Sequence, residues 1–246
     1  MTFPIHLSVI VPSYDSAGIL RRNLPLLLDY LNRQEYVWEV IVVDDGSNDG
    51  GATGAVCREL GCIFCTYERN RGKGAAVRTG MQAAKGRFRI FTDADIPYEP
   101  ESIGTILRYL DFKEFDMAIG DRNMEGSSYH DEIPTVRKFT SIFFTWFVGT
   151  IMTANFFDTQ CGIKGFRGEA ADFIFKHARL DGFAFDVELI YIALKRQLEI
   201  KRIPVRLRNQ EKSTVRVFRH GIAMFIDLFR IKYFNMKGYY KGRVHG

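Results

Sequence analysis

The chain has 246 residues, 46% of them hydrophobic and 26% charged, a balance that excludes a wholly disordered protein. Its formal net charge of +5 suits an anionic partner such as a nucleotide, a lipid phosphate or a membrane surface. This charge is too moderate to indicate nucleic acid, and we expect no nucleic-acid partner. The composition leaves a homo-oligomer open.

The first 120 residues alternate between strand-like and helix-like patterns. Apolar and β-branched runs predict strands at 7–11, 40–43, 62–67, 87–91 and 116–119. Helical spacing of apolar residues predicts helices at 19–31, 52–60, 73–84 and 101–110. Alternation at this spacing predicts an α/β fold with a doubly wound, mostly parallel sheet and right-handed crossovers.

The second half begins with an uncharged stretch of nineteen residues, 139–157, close to the minimum length of a membrane-spanning helix. Six Ser, Thr and Asn residues interrupt it, so we predict a buried or membrane-interface helix over 136–157 and not a span. Further on, the segment 215–246 is aromatic and basic. We predict an amphipathic helix that lies in a membrane interface, or else packs on the core with its charges solvated. Its predicted apolar face consists of Val217, Phe218, Ile222, Phe225, Phe229 and Ile231.

Two carboxylates, Asp93 and Asp95, stand one residue apart directly after the predicted strand 87–91. Open α/β sheets bind ligands at the carboxyl ends of their strands, so these side chains are expected at a binding edge. Carboxylates are hard oxygen ligands that can hold Mg²⁺ or Mn²⁺ while phosphate oxygens complete the coordination. The pair therefore predicts a metal site for a phosphorylated substrate.

A second acidic pair, Asp44 and Asp45, follows the strand 40–43, and Pro12 and Tyr14 follow the first strand. The two strand ends are expected side by side, where an aspartate can accept hydrogen bonds from a base or a ribose. The loop 69–76 contains two glycines, Arg71 and Lys73, and leads into a helix whose N-terminus favours anions. It is not a Walker A motif, because no glycine precedes Gly72 by five residues and no Ser or Thr follows Lys73.

In this order the motifs resemble the family 2 inverting glycosyltransferases of the GT-A (Rossmann-like) fold. Within that family the chain is similar to the polyprenyl-phosphate (dolichyl-phosphate) hexose synthases, most of all to their glucosyltransferase branch. The motifs that carry the resemblance are 9–14, 44–47, 70–74, 92–95, 120–122, 158–166 and 183–189. The last two are the more specific to the lipid-phosphate group.

For the donor, the resemblance implies a nucleotide pocket in which Asp45 contacts the base beside Pro12 and Tyr14. It implies that Asp93 and Asp95 hold Mg²⁺ or Mn²⁺ on the diphosphate of a nucleotide sugar. The mannosyl branch has a glutamine two residues after the second aspartate, whereas this chain has Pro97, so water is expected in place of a third protein ligand. Lys212 and Ser213 match a loop that folds over the donor, and Arg208 is a weaker match.

For the acceptor, the resemblance implies that Arg122, Arg137 and Ser141 bind a lipid phosphate, with the last two on one helix face. Such a phosphate is already nucleophilic, because its second pKa of about 6 leaves it largely a dianion at neutral pH. Asp186 and Glu188 are therefore interpreted as groups that orient the substrate. Asp158 and Gln160 either contact the sugar or pack the turn before their strand, and the sequence does not separate these readings.

The resemblance implies a peripheral membrane enzyme on the cytoplasmic face of the membrane. It would transfer a hexose to a polyprenyl or dolichyl phosphate, with residues 1–214 as the catalytic domain and 215–246 as the membrane-associating segment. We favour UDP-glucose as the donor, with GDP-mannose as the alternative. A family 2 enzyme with a saccharide acceptor, using Asp186 as its base, and a non-catalytic nucleotide-sugar-binding module are the other candidates.

Overall fold

The computed structural model describes residues 4–128, 152–153, 156–208, 217–242 and 244, except the side chains of 217–223. The predicted interface helix 136–157 therefore lies almost entirely outside the described residues. The described strands are β1 (Ile5–Ser13), β2 (Trp38–Asp44), β3 (Ile63–Thr66), β4 (Gly86–Thr92), β5 (Met117–Asp121), β6 (Ile163–Arg167) and β7 (Ile200–Pro204). The described helices are α1 (Ala17–Asn32), α2 (Ala52–Glu59), α3 (Lys73–Ala83), α4 (Glu101–Asp111), α5 (Gly168–His177), α6 (Phe185–Lys195) and α7 (Val217–Met236).

The strands form one mixed sheet in the order β3-β2-β1-β4-β6-β5-β7. Four of its pairings are parallel, which confirms the predicted mostly parallel α/β sheet. The exception is β6, which runs antiparallel to both of its neighbours, β4 and β5. This strand therefore begins at the edge of the sheet where β4 and β5 end.

Apolar layers cover both faces of the sheet, and alternate residues of β1 point into different layers. Ile10 packs with α3, α5 and α6, whereas Val9 and Val11 pack with α1, α2 and α4. Burial on both faces explains why the centre of β2 is purely apolar. Among the described helices, none has the length and apolar character that crossing a bilayer requires.

The C-terminal helix α7 packs on the α6 side of the sheet through Leu228 and Ile231, which are both buried. Phe229 points to solvent, so the predicted face that grouped Phe229 with Ile231 is wrong. Two residues along an α-helix are about 200° apart, and this places them on opposite sides. The exposed side of α7 carries a second apolar stripe, formed by Ile226, Phe229, Tyr233 and Met236, each more than half exposed.

Candidate active site

The carboxyl ends of β1, β2 and β4 and the start of β6 meet at one edge of the sheet. Ser13 pairs with Asp44 in the register of β1 and β2, and the Asp45 amide donates to the Ser13 carbonyl at 2.7 Å. On the other side of β1, β4 ends at Thr92, which pairs with Ile163 at the start of β6. The two predicted acidic pairs therefore lie at the same edge, as the sequence analysis expected.

Asp45 is buried and holds the glycine-rich loop in place. Its carboxylate accepts hydrogen bonds from the Tyr67 hydroxyl at 2.5 Å, the Arg71 amide at 2.9 Å and the Gly72 amide at 2.8 Å. Asp44 is bonded in a similar way, to Ser47 and to the Thr66 hydroxyl. Both aspartates thus brace this edge of the sheet through hydrogen bonds within the protein.

Two other side chains at the end of β1 are exposed to solvent or lack a hydrogen-bond partner among the described residues. The Tyr14 side chain is about half exposed, and it follows Pro12 at the end of β1. The Ser13 hydroxyl is buried and has no hydrogen-bond partner among the described residues. A buried polar atom without a partner is uncommon, and the sequence analysis did not single this one out.

The glycines of the loop serve contact with another part of the protein. Gly72 has φ of +107°, and a Cβ there would lie 2.5 Å from the Asp181 carbonyl oxygen. The Gly74 amide, in the first turn of α3, donates to that same carbonyl at 2.8 Å. The close backbone approach that these glycines permit is therefore made by the loop before α6.

Lys73 and Asp93 form the centre of the site. The Lys73 ammonium lies 2.5 Å from the Asp93 carboxylate, and both side chains are partly exposed. Burial by itself would lower the pKa of Lys73, but the charges of Asp93 and Asp186 outweigh it and raise that pKa. Gly162, just before β6, makes room for this pair, since a Cβ there would overlap the Asp93 carboxylate.

A divalent cation fits this position in charge and donor type. Asp93 already holds a cationic group, and Asp95 adds a second carboxylate two residues away. The described residues contain no cluster of three or more His, Cys, Asp or Glu side chains that could hold a metal alone. A cation bound here would have to take its remaining ligands from water or from a bound diphosphate.

Asp186 lies at the floor of the site and is paired with a lysine that the sequence analysis missed. Lys164 of β6 is fully buried, and its ammonium lies 2.5 Å from the Asp186 carboxylate and 2.7 Å from the Cys161 carbonyl. Burial raises the pKa of Asp186, while the charges of Lys164 and Lys73 oppose that rise. A lysine in an otherwise apolar strand segment was the one signal in the sequence.

Arg122 and Asp158 connect the end of β5 with the turn before β6. The carboxylate of Asp158 accepts from the Arg122 Nε at 2.9 Å, from its Nη2 at 2.6 Å and from its amide at 2.7 Å. Of the two readings left open for Asp158, the packing of the turn is the one that these bonds realise. Gln160 is exposed, and its amide nitrogen lies 3.7 Å from the sulfur of Met224 in α7.

Glu188 does not reach the site, which corrects its interpretation as a group that orients the substrate. It is fully buried and accepts hydrogen bonds from the amides of Arg179 and Leu180 and from the Tyr240 hydroxyl at 2.6 Å. Tyr240 is also buried, so this carboxylate fastens the end of the C-terminal segment to α6. The other predicted residues Arg137, Ser141, Lys212 and Ser213 lie outside the described residues.

Comparison with known proteins places the chain in a family. The family model for glycosyl transferase family 2 matches residues 8–172. The dolichyl-phosphate beta-glucosyltransferase of Drosophila melanogaster is 33% identical over 263 residues, covering 94% of this chain and 78% of that protein. The protein of the same name from Dictyostelium discoideum is 29% identical, covering 96% of this chain and 77% of that protein.

A solved structure supports the fold. The crystal structure of glucosyl-3-phosphoglycerate synthase from Mycobacterium tuberculosis, in complex with Mn²⁺, UDP and glucosyl-3-phosphoglycerate, matches with a TM-score of 0.69. The match covers 92% of this chain and 80% of that chain at 13% identity, so it bears on the fold alone. With a family match over more than half of its length, this chain belongs to glycosyl transferase family 2 and is a glycosyltransferase with the α/β GT-A fold.

Proposed function

We propose that this glycosyltransferase transfers glucose from UDP-glucose to the phosphate of a polyprenyl or dolichyl lipid, with inversion at the anomeric carbon. The observation that carries the proposal is the meeting of Lys73, Asp93 and Asp186 at the sheet edge that also bears Asp44 and Asp45. Positive and negative groups at this edge suit a donor diphosphate with its cation. The names of the relatives support glucose and the lipid phosphate.

For the donor, we assign the base to the pocket around Asp44, Asp45, Pro12 and Tyr14. Asp93 and Asp95 would hold Mg²⁺ or Mn²⁺, which would neutralise the charge that develops on the leaving diphosphate. Lys73 is placed to add positive charge at the same point. Glucosyl-3-phosphoglycerate synthase, which shares this fold, was solved with Mn²⁺ and UDP, and this supports the assignment.

For the acceptor, we assign the phosphate to Arg122, Arg137 and Ser141. A phosphate oxygen attacks the anomeric carbon, a new C–O bond forms, and the bond to the nucleotide diphosphate breaks on the opposite face. A dianionic phosphate carries no proton that must leave during attack, so positioning and charge stabilisation dominate. The guanidinium fork of arginine suits this phosphate.

The state of Asp186 favours a phosphate acceptor over a saccharide acceptor. A sugar hydroxyl needs a base that can accept its proton, and Asp186 is the carboxylate that the sequence analysis named as the base for a saccharide acceptor. It is buried and already paired with Lys164, an arrangement that suits orientation of the substrate better than proton transfer. Lys212 and Ser213 are proposed to close over the donor and exclude water.

We also propose that α7 attaches the enzyme to the cytoplasmic face of a membrane. Its exposed stripe of Ile226, Phe229, Tyr233 and Met236 is apolar. The segment 224–242 carries four basic side chains and one acidic side chain, which suits an anionic lipid surface. Flotation with phosphatidylserine vesicles tests this: I226E/F229E should stay unbound, whereas L26E, at an exposed leucine of α1, should float like the wild type.

A screen of nucleotide sugars tests the catalytic proposal. UDP-glucose, UDP-galactose and GDP-mannose are each incubated with dolichyl phosphate, undecaprenyl phosphate or a free saccharide, with Mg²⁺ or Mn²⁺. We expect a glucosylated lipid phosphate from UDP-glucose. A mannosylated lipid phosphate would show that the donor is GDP-mannose and not UDP-glucose. A glycosylated saccharide would show that the acceptor is not a lipid phosphate. Donor binding without turnover on any acceptor would overturn the catalytic proposal.

A further inference from the structure

The turn that carries the two proposed cation ligands has an unfavourable backbone. The Ile96 amide donates to the Asp93 carbonyl at 3.0 Å and closes a turn over residues 93–96. Ile96 has φ of +44°, in the left-handed region that β-branched residues rarely enter. Strained residues of this kind persist only where surrounding contacts hold them, and they concentrate at functional sites.

Two sets of contacts hold this turn. The Ile96 side chain is buried in the same apolar layer as Tyr98, and this packing holds one side of the turn. The turn is also held by Arg208, whose Nη2 donates to the carbonyl oxygens of Asp95 at 3.2 Å and Ile96 at 3.1 Å. The same nitrogen donates to the Asn23 side chain at 2.8 Å, so the guanidinium is itself anchored to α1.

The backbone of Arg208 joins the same arrangement. Its amide donates to the Pro97 carbonyl at 2.8 Å, and the Glu99 amide donates to the Arg206 carbonyl at 3.0 Å. The segment 206–208 therefore runs along the residues that follow the turn. It leads directly into 209–216, where Lys212 and Ser213 are assigned to the donor.

We propose that Arg208 is a positioning residue that fixes the Asp95 carboxylate for the cation by holding the strained turn. This rests on the proposed function, because it assumes that Asp93 and Asp95 bind the cation of the donor diphosphate. Arg208 acts through the carbonyls of Asp95 and Ile96 and does not itself contact the nucleotide. Loss of the guanidinium releases these two carbonyls, and the turn relaxes away from φ of +44°.

The experiment measures Mn²⁺ binding in the presence of UDP by electron paramagnetic resonance, and UDP binding in EDTA by calorimetry. In R208M we expect Mn²⁺ affinity to fall by about 10–100-fold, as for other residues that support metal ligands, with UDP binding in EDTA unchanged. R206M is the matched control, since Arg206 lies two residues before Arg208 and its side chain is exposed. R208K keeps the charge without the fork and should fall between the two.

A rescue separates positioning from a general loss of structure. Both R208M/I96G and R208M/I96A lose the buried isoleucine side chain, but only glycine adopts positive φ readily. We therefore expect R208M/I96G to bind Mn²⁺ more tightly than R208M/I96A does. Melting temperatures of all variants monitor the fraction that is folded.

Three results would overturn the proposal. Equal Mn²⁺ affinity in R208M and R206M would remove the role of Arg208, and a loss of UDP binding in EDTA would make Arg208 a direct nucleotide ligand. Equal affinity in the two double variants would remove the role of the strained turn. A different pair of results would overturn the proposed cation site itself: no Mn²⁺ binding with UDP in the wild type, or equal Mn²⁺ binding in D95N. These results are distinct from the three that concern Arg208 and the turn.

Discussion

Two acidic pairs with the same spacing have opposite surroundings in this molecule. Asp93 and Asp95 lie in a turn after β4, where both side chains are partly exposed. Asp186 and Glu188 lie in the first turn of α6, where both are buried. The lysine beside Asp93 is partly exposed, whereas Lys164 beside Asp186 is fully buried.

The difference follows from the backbone that presents each pair. A turn at the end of a strand can direct two carboxylates into one cleft. In a helix, residues two apart point about 200° apart, so Asp186 faces the site floor while Glu188 faces Leu180 and Tyr240. The comparison predicts that changes in the turn impair activity, whereas changes around α6 first impair stability.

The largest effect is expected for D95N. It keeps the size of the side chain but removes one charge from the proposed cation site, so kcat should fall by about 10³-fold. The melting temperature should stay at the wild-type value, because Asp95 is partly exposed. D29N, at an exposed aspartate of α1, is the control, and a D95N enzyme that keeps its activity would end the distinction between the two pairs.

K164M should have the next largest effect, this time on stability. It leaves the buried Asp186 carboxylate without its lysine, at a cost of about 3–5 kcal/mol in the free energy of unfolding measured with urea. K164M/D186L removes both charges and should recover much of that loss. If the double variant is stable and fully active, Asp186 has no part in orienting the substrate.

G162A tests how sensitive the activity is to a displacement of the Asp93 carboxylate. An added Cβ would push the Asp93 carboxylate aside, and a shift of about 1 Å in a reacting group can cost about 10²-fold in rate. We expect this loss in kcat/KM for the donor with little change in the melting temperature. G18A, in α1, should behave as wild type, because an added Cβ there would make only an ordinary van der Waals contact with the Arg22 side chain at 3.6 Å.

Y240F should have the smallest effect. It removes one of the donors to the buried Glu188 carboxylate and leaves the two backbone amides, at a cost of about 1.5 kcal/mol in the free energy of unfolding. Y239F, at the partly exposed neighbouring tyrosine, is the control. A loss of activity in Y240F without a loss of stability would contradict the stabilising role given to Glu188.

The sheet edge that carries Asp44, Asp45, Asp93 and Asp95 was predictable because its signals are local. The strands from β1 to β5 are rich in apolar residues, and the acidic pairs follow their strands directly, so position in the chain gives position in the sheet. The adjacency of Ser13 and Asp44 followed from parallel pairing alone.

The surroundings of Asp186 and Glu188 depend on contacts between distant residues, which periodicity does not reveal. Asp186 and Lys164 are 22 residues apart, and Tyr240 and Glu188 are 52 apart. A lysine in a strand is usually interpreted as exposed, and an antiparallel β6 leaves no mark in composition. The face of α7 was misassigned because both of its sides carry large apolar residues.

The reversed direction of β6 has a consequence for engineering. The chain leaves the sheet at Asp121 and re-enters it at Ile163 on the same edge, and the Arg122–Asp158 ion pair closes the excursion at its base. Because this pair holds the two ends of the segment together, we expect residues 123–157 to be exchangeable as one piece. Under the proposed function, a graft from another family member would bring its own counterparts of Arg137 and Ser141 and, with them, its acceptor preference. The recipient would keep its own sugar nucleotide, because every residue assigned to that molecule is encoded outside the graft.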